Sequence, residues 1–321
     1  MPQLSSEPLP FAPAALGERP VWDDRTGELL WVDIDAGTLH RYRPGAPATA
    51  RGNAPSVGAV ALREKGGVVL AVTDGFLLLD ADGEPEGPVI RPAGMEPDRF
   101  FNDGACDPAG RFLAGTATAA RTPGAGSLYR LDPDGTVSTV LDQVTESNGI
   151  AWSQDGTTMY YVDSGTQDVR AYGYDPATGT VDPSPYRTLI TIDPADGTPD
   201  GLVTDSEGNL WLALWGGWGL RRYSPDGTLL DHIPFPVSDV TCPCFGGQDL
   251  RDVFVTTSHG YLYWNSAPNS PWPAPCSSCA PAPRAYPPPA TRADTPHPVA
   301  AAPYKLFCPA VQWSWNLHPN E

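Results

Sequence analysis

Ser147-Asn148-Gly149-Ile150-Ala151-Trp152-Ser153-Gln154-Asp155-Gly156-Thr157-Thr158-Met159-Tyr160-Tyr161-Val162-Asp163 contains two short runs of β-branched and aromatic residues around an Asp-Gly turn. Asp and Gly at these offsets preset turn dihedrals, so the stretch predicts strand, tight turn, strand. The same pattern recurs along the chain. The second run has counterparts at Leu29–Asp33, Val68–Val72, Phe112–Thr116, Leu210–Leu214 and Val253–Thr257, with starts 39, 44, 47, 51 and 43 residues apart. A further strand class appears five times, at Leu39–Tyr42, Phe76–Leu79, Leu128–Leu131, Val169–Tyr172 and Leu220–Tyr223. A period in the forties with several short strands per unit is the mark of a propeller blade. Six copies predict an all-β fold, a six-bladed β-propeller. Apolar spacing at i, i+3 and i+4, which a helical repeat needs, is absent.

Composition agrees. The 321 residues include 33 Gly and 38 Pro, which suit many tight turns, and 40% hydrophobic residues, enough for a packed core. A formal charge of −18 makes the chain a poor binder of phosphate backbones, so no nucleic-acid partner is expected. No run of about 18 apolar residues predicts a membrane span. The first residues lack a basic start and an apolar stretch, so no leader is read and the cytoplasm is the expected compartment.

The first run of each unit carries the chemistry. Trp22, Leu62, Cys106, Trp152 and Thr204 align when each unit is set on the turn that follows. Four residues back stand Glu18, Gly58, Asn102, Asn148 and Asp200; the sixth unit is expected to place its counterpart within Cys242 to Gly247. Innermost propeller strands line a central channel, so one repeat position maps to one ring around the axis. Two carboxylates and two amides there form an oxygen-rich set that a hard divalent cation would neutralise. Turn preference alone also accounts for Asn148 and Asp200, but it does not account for Glu18.

At these residues the chain resembles the senescence-marker-protein/gluconolactonase family, to which regucalcin belongs. The matching stretches include Leu16-Gly17-Glu18 with Pro20-Val21-Trp22, Phe101-Asn102-Asp103-Gly104, Ser147-Asn148-Gly149, Pro199-Asp200-Gly201 and Leu214-Trp215-Gly216-Gly217. They span about residues 16–260. The resemblance implies one divalent metal on the axis (Ca, Mg, Mn or Zn, with Ca preferred), held by Glu18, Asn148 and Asp200. It implies a substrate contact at Asn102, and hydrolysis of a sugar-acid lactone with Asp200 as general base. Relatives often carry an Arg two residues before the Asn of the N-D-G motif; here Phe100 stands there, and Arg99 is the candidate to take its place. The acidic pair that contacts substrate in regucalcin is replaced by Ala119 and Ala120. These departures keep a second reading open: a non-catalytic propeller that binds a metabolite, calcium or a protein partner. A serine hydrolase is disfavoured, because no G-x-S-x-G motif occurs.

The chain reads as an N-terminal extension (1–15), the propeller (16–260) and a tail (261–321). The tail holds 14 prolines in 61 residues and has no sustained periodicity, so it is expected to be largely disordered. The closing strand of the sixth blade is missing from it. A reading-frame change in a GC-rich gene would explain the abrupt shift and would leave that blade incomplete. The six cysteines include Cys242-x-Cys244 and Cys276-x-x-Cys279. With no Cys or His companions at metal-ligand spacing, they read as buried or incidental thiols rather than a zinc or redox site.

Overall fold

A computed structural model describes Pro8–Leu9 and Ala14–Ser258, without the side chains of residues 183 and 184. The expected extension is described only in part, and the Pro-rich tail with its Cys276-x-x-Cys279 lies outside the described residues.

The described chain folds into successive antiparallel sheets, each laid down in chain order from the inside outward. The first comprises β1 (Gly17–Asp23), β2 (Glu28–Asp33), β3 (Thr38–Tyr42) and β4 (Thr49–Gly52). The second has three strands, β5 (Val57–Leu62), β6 (Val68–Val72) and β7 (Gly75–Leu79). The third holds β8 (Arg99–Cys106), β9 (Phe112–Thr118), β10 (Gly126–Leu131) and β11 (Val137–Val144). The fourth holds β12 (Ser147–Trp152), β13 (Thr158–Asp163), β14 (Asp168–Asp175) and β15 (Thr180–Thr191). The fifth holds β16 (Thr198–Thr204), β17 (Leu210–Trp215), β18 (Gly219–Tyr223) and β19 (Leu229–Pro234). Among the described residues the sixth sheet has two strands, β20 (Val240–Gly246) and β21 (Asp252–Thr257). The architecture is an all-β propeller with two short 3₁₀ turns and no α-helix among the described residues. No described helix is long and apolar enough to cross a membrane.

The turns are built as their residues dictate. Asp107 caps its own turn: its Oδ1 accepts from Ala109 N at 2.9 Å and Arg111 N at 2.8 Å, while Gly110 adopts φ 81°. Asp205 repeats the arrangement with Glu207 N, Asn209 N and Gly208 at φ 81°. Only glycine enters this left-handed region without strain.

The core lies between sheets. Val162, Val169 and Tyr160 of the fourth sheet pack against Leu202, Leu212 and Leu214 of the fifth. Leu113 and Leu128 of the third meet Ile150, Met159 and Tyr161 of the fourth. The second strands of the first five sheets are therefore buried on both faces, and read as continuous apolar runs. The innermost strands pack in a closed ring: β1 on β5, β5 on β8, β8 on β12, β12 on β16, β16 on β20, and β20 on β1. Trp22 stacks on Phe254 at 5.4 Å across the last junction. Leu16 bridges Ser258, whose hydroxyl donates to Ala15 O at 2.9 Å.

Candidate metal and active site

Every innermost strand loses its regular register at the aligned position or beside it. The shifts fall between Glu18 and Val21, Val57 and Ala59, Phe101 and Asp103, Ser147 and Ile150, Pro199 and Leu202, and Val240 and Cys242. β-Bulges of this kind re-aim side chains. The sixth counterpart is thus Thr241, one residue outside the expected Cys242–Gly247 window. Two equivalent hydrogen bonds support this assignment. Asn102 Nδ2 donates to Ser147 O at 2.9 Å, and Thr241 Oγ1 donates to Gly17 O at 2.7 Å. Each acceptor immediately precedes the aligned residue of the next sheet.

Small residues let the strands converge. A Cβ on Gly58 would stand 2.2 Å from Phe101 O, one on Gly149 2.6 Å from Asp200 O, and one on Gly201 2.5 Å from Cys242 Sγ. Glycine here serves close backbone approach.

The convergence brings the sequence-nominated residues together. Glu18, Asn148 and Asp200 are all more than nine-tenths buried. Asn102 Nδ2 also donates to Asn148 Oδ1 at 3.0 Å, so Asn102 braces Asn148. The other side of that amide is fixed by a relay: Asn148 Nδ2 donates to Ser164 Oγ at 2.8 Å, and Ser164 Oγ to Pro199 O at 2.6 Å. That chain of bonds ties Asn148 to the residue before Asp200. Asp33 and Asp163, each at the end of a second strand, hold the entry to β1 and β12. Asp33 accepts from Ala15 N at 2.7 Å, and Asp163 from Glu146 N at 3.0 Å.

Electrostatics mark the set as unfinished. Asp200 Oδ1 is buried without a hydrogen bond. Burial, then the neighbouring charges of Glu18, Asp103 and Glu146, push the Asp200 carboxyl well above the usual carboxylate range. Burial and Asp103 do the same to Glu18. Carboxylates crowded in a low-dielectric channel stay ionised only where a cation offsets their charge. The all-oxygen donor set and the orphaned Asp200 oxygen fit a hard divalent ion held by Glu18, Asn148 and Asp200.

Sequence reasoning missed Asp103, Arg19 and Glu146. Asp103 and Arg19 adjoin the nominated Asn102 and Glu18, and their guanidinium–carboxylate approach is 3.7 Å. Glu146 pairs with Arg121 at 2.7 Å beside Ala119-Ala120. The guanidinium of Arg99 is held on β10 instead, where its Nη1 donates to Ser127 Oγ at 3.0 Å and to Tyr129 OH at 3.4 Å. Cys106, Cys242 and Cys244 form no disulfide among the described residues; burial pushes the Cys242 thiol well up and that of Cys244 up to about 12.

The family described as "SMP-30/Gluconolactonase/LRE-like region" matches residues 16–259, about three-quarters of the chain and the whole of the ring. The chain belongs to that family. Regucalcin of Xenopus laevis is 38% identical over 250 residues, covering 76% of this chain and 83% of that protein. A 6-deoxy-6-sulfogluconolactonase of Pseudomonas putida is 38% identical over 251 residues, covering 77% of this chain and 84% of that protein. A solved structure of a calcium-binding regucalcin from Agrobacterium tumefaciens superposes with TM-score 0.72 at 30% identity, covering 77% of this chain and 83% of the other. The family match takes in the described residues from 16 to 258 and one residue more.

Proposed function

We propose that this family member is a divalent-metal-dependent lactonase acting on a sugar-acid lactone, on a six-bladed wheel whose axis holds the ion. Glu18, Asn148 and Asp200 hold the ion, with Ca²⁺ the preferred occupant among Ca²⁺, Mg²⁺, Mn²⁺ and Zn²⁺. A bound cation supplies Lewis acidity at the ester carbonyl and at water. The chain's own residues do the rest. Asp200, besides holding the ion, takes the proton of the attacking water as general base. Water adds to the acyl carbon, the acyl carbon–ring oxygen bond breaks, and the ring oxygen leaves as a hydroxyl after accepting a proton. The products are one open-chain hydroxy acid and no by-product. Asn102 keeps Asn148 in place through its 3.0 Å bond and presents the rest of its amide to the channel, where it contacts the substrate. Arg99, on the same end of β8, is the candidate for an outer substrate contact.

The observation that supports this reading is that Glu18, Asn148 and Asp200, at one repeat position of three inner strands, are all buried, with Glu18 in electrostatic reach of Asp200 and Asp200 Oδ1 without a hydrogen bond. The names of the sulfogluconolactonase relative and the calcium-binding structural relative support the activity and the ion respectively. The test is hydrolysis of a sugar-lactone panel by chelator-stripped protein, with each ion restored in turn. Activity that returns with an ion and is lost in Asp200→Ala is expected. Activity indifferent to chelator, or intact in Asp200→Ala, rejects the mechanism. The replacement of the family's acidic pair by Ala119-Ala120 favours one alternative, a non-catalytic binder of a metabolite, calcium or a protein. Stoichiometric ion binding with no turnover across the panel would decide for it.

A further inference from the structure

Arg19 is the residue of the channel that the lactonase reading does not use. It follows Glu18 on β1 and is 8% exposed. Its backbone sits at φ 42°, in the left-handed region that L-residues other than Asn and Asp seldom occupy. Its N–H donates to Glu18 Oε2 at 3.1 Å. Its Nη1 stands 3.7 Å from Asp103 Oδ1, yet Nε and Nη1 carry no hydrogen bond, and neither does Asp103 Oδ2. A buried guanidinium with unspent donors on a strained backbone contributes little to stability as a simple salt bridge. Its position gives it another use. Asp103 is one of the charges that press on both Glu18 and Asp200, and Arg19 is the cation set against it. Glu18 and the neutral thiols of Cys106, Cys242 and Cys244 are the other titratable groups within reach of the guanidinium; burial opposes its charge, and Asp103 is foremost among the groups that favour it.

We propose that Arg19 is a built-in counter-cation of the axial carboxylates, which neutralises part of their charge and so makes the site hold its divalent ion more weakly than Glu18, Asn148 and Asp200 alone would. The inference rests on the cation reading above. Repulsion between a fixed guanidinium and a divalent ion in one water-poor channel acts over several ångströms with little screening. It sets an exchangeable ion rather than a permanently trapped one.

The test is calorimetric titration of chelator-stripped full-length chain with Ca²⁺. Arg19→Met keeps the length and the backbone demand but removes the charge; Arg19→Lys keeps the charge. Arg19→Met is expected to tighten Ca²⁺ binding by at least about tenfold, within the usual range of coupling between sites. Arg19→Lys should stay within about threefold of wild type, and Asp103→Asn, which removes a negative charge, should weaken binding. Should Arg19→Met fail to fold, Arg19→Gly, suited to the positive φ, carries the same expectation of tighter binding. Equal or weaker affinity in the charge-removed variant, with wild type binding one ion, overturns the role of Arg19 and leaves the lactonase reading standing. No ion bound by wild type overturns both.

Discussion

Gly149→Ala tests whether the close approach of β12 and β16 sets the geometry of the site. The added methyl would stand 2.5 Å from Leu202 Cβ, 2.6 Å from Asp200 O and 2.7 Å from Leu202 N. Two of these three neighbours are backbone atoms and cannot swing aside. Ordinary contact begins at 3.4 Å, so the strands must separate by roughly 0.8 Å at this point. Asn148 precedes the substitution and Asp200 lies across it, so the separation opens the gap between two of the three ion-holding oxygens. Overpacking of this kind costs about 1–3 kcal/mol. In a domain of this size each kcal/mol lowers Tm by roughly 2–4 °C. Displacement of reacting groups by about 1 Å costs on the order of 10²-fold in rate. Gly149→Ala should therefore melt several degrees lower and lose far more activity than its stability loss explains, when assayed well below its Tm on the best lactone of the panel. Gly52→Ala, on exposed β4 with nothing within 4 Å of the new methyl, is the control and should match wild type in both. Gly149→Ala with wild-type turnover would refute the claim that this strand contact positions Asn148 against Asp200.

Other expectations concern stability and thiol chemistry. Asp107 is fully buried and accepts from Arg111 Nε and Tyr174 OH, each at 2.5 Å, as well as from its own turn. Asp107→Ala strands the Arg111 cation and should cost about 3–5 kcal/mol, measured by urea unfolding; a loss under 1 kcal/mol would deny the network its role. Hydrogen bonds from Arg63 and then Lys65 hold the Glu86 carboxyl below its usual range. A depressed carboxylate stabilises the fold above its unfolded pKa and loses that contribution as pH falls through its folded one. The Tm gap between wild type and Glu86→Gln should thus be present at pH 7 and close on acidification below about pH 4, the unfolded value of a glutamate; a gap that widens in acid contradicts the pairing. Cys242 and Cys244, with thiols raised by burial, should resist alkylation at pH 8 in folded protein and react on unfolding, as read by peptide mapping. Labelling of Cys242, which is buried, in the native state would show that the β20–β21 sheet opens.

Much of this was legible in the chain. The second strands of the first five sheets are buried on both faces, so Tyr160-Tyr161-Val162 or Leu212-Ala213-Leu214 advertise themselves as apolar runs. The outer strands do not. β4 is exposed at every residue and β19 at most, so their composition carries no apolar signal and their existence depends on pairing with β3 and β18. Glu18, Asn102, Asn148 and Asp200 were found because one repeat position maps to one place on the axis. Thr241 escaped because its unit has no glycine at the turn spacing that Gly66, Gly110, Gly156 and Gly208 give the others. Arg19 and Asp103 escaped for a different reason. Strand alternation sends a residue and its neighbour to opposite faces. The register shifts after Glu18 and before Asp103 break that rule, and they bring neighbouring side chains into electrostatic reach of the same channel.

The central claim is that one divalent cation sits among Glu18, Asn148 and Asp200. Crystals grown with Mn²⁺, measured for anomalous scattering, test it most directly. One strong peak per chain is predicted, about 2.0–2.6 Å from oxygens of all three side chains, the range for hard cations, and absent from Asp200→Ala. A map with no peak there, or with its peaks elsewhere on the chain, contradicts the account.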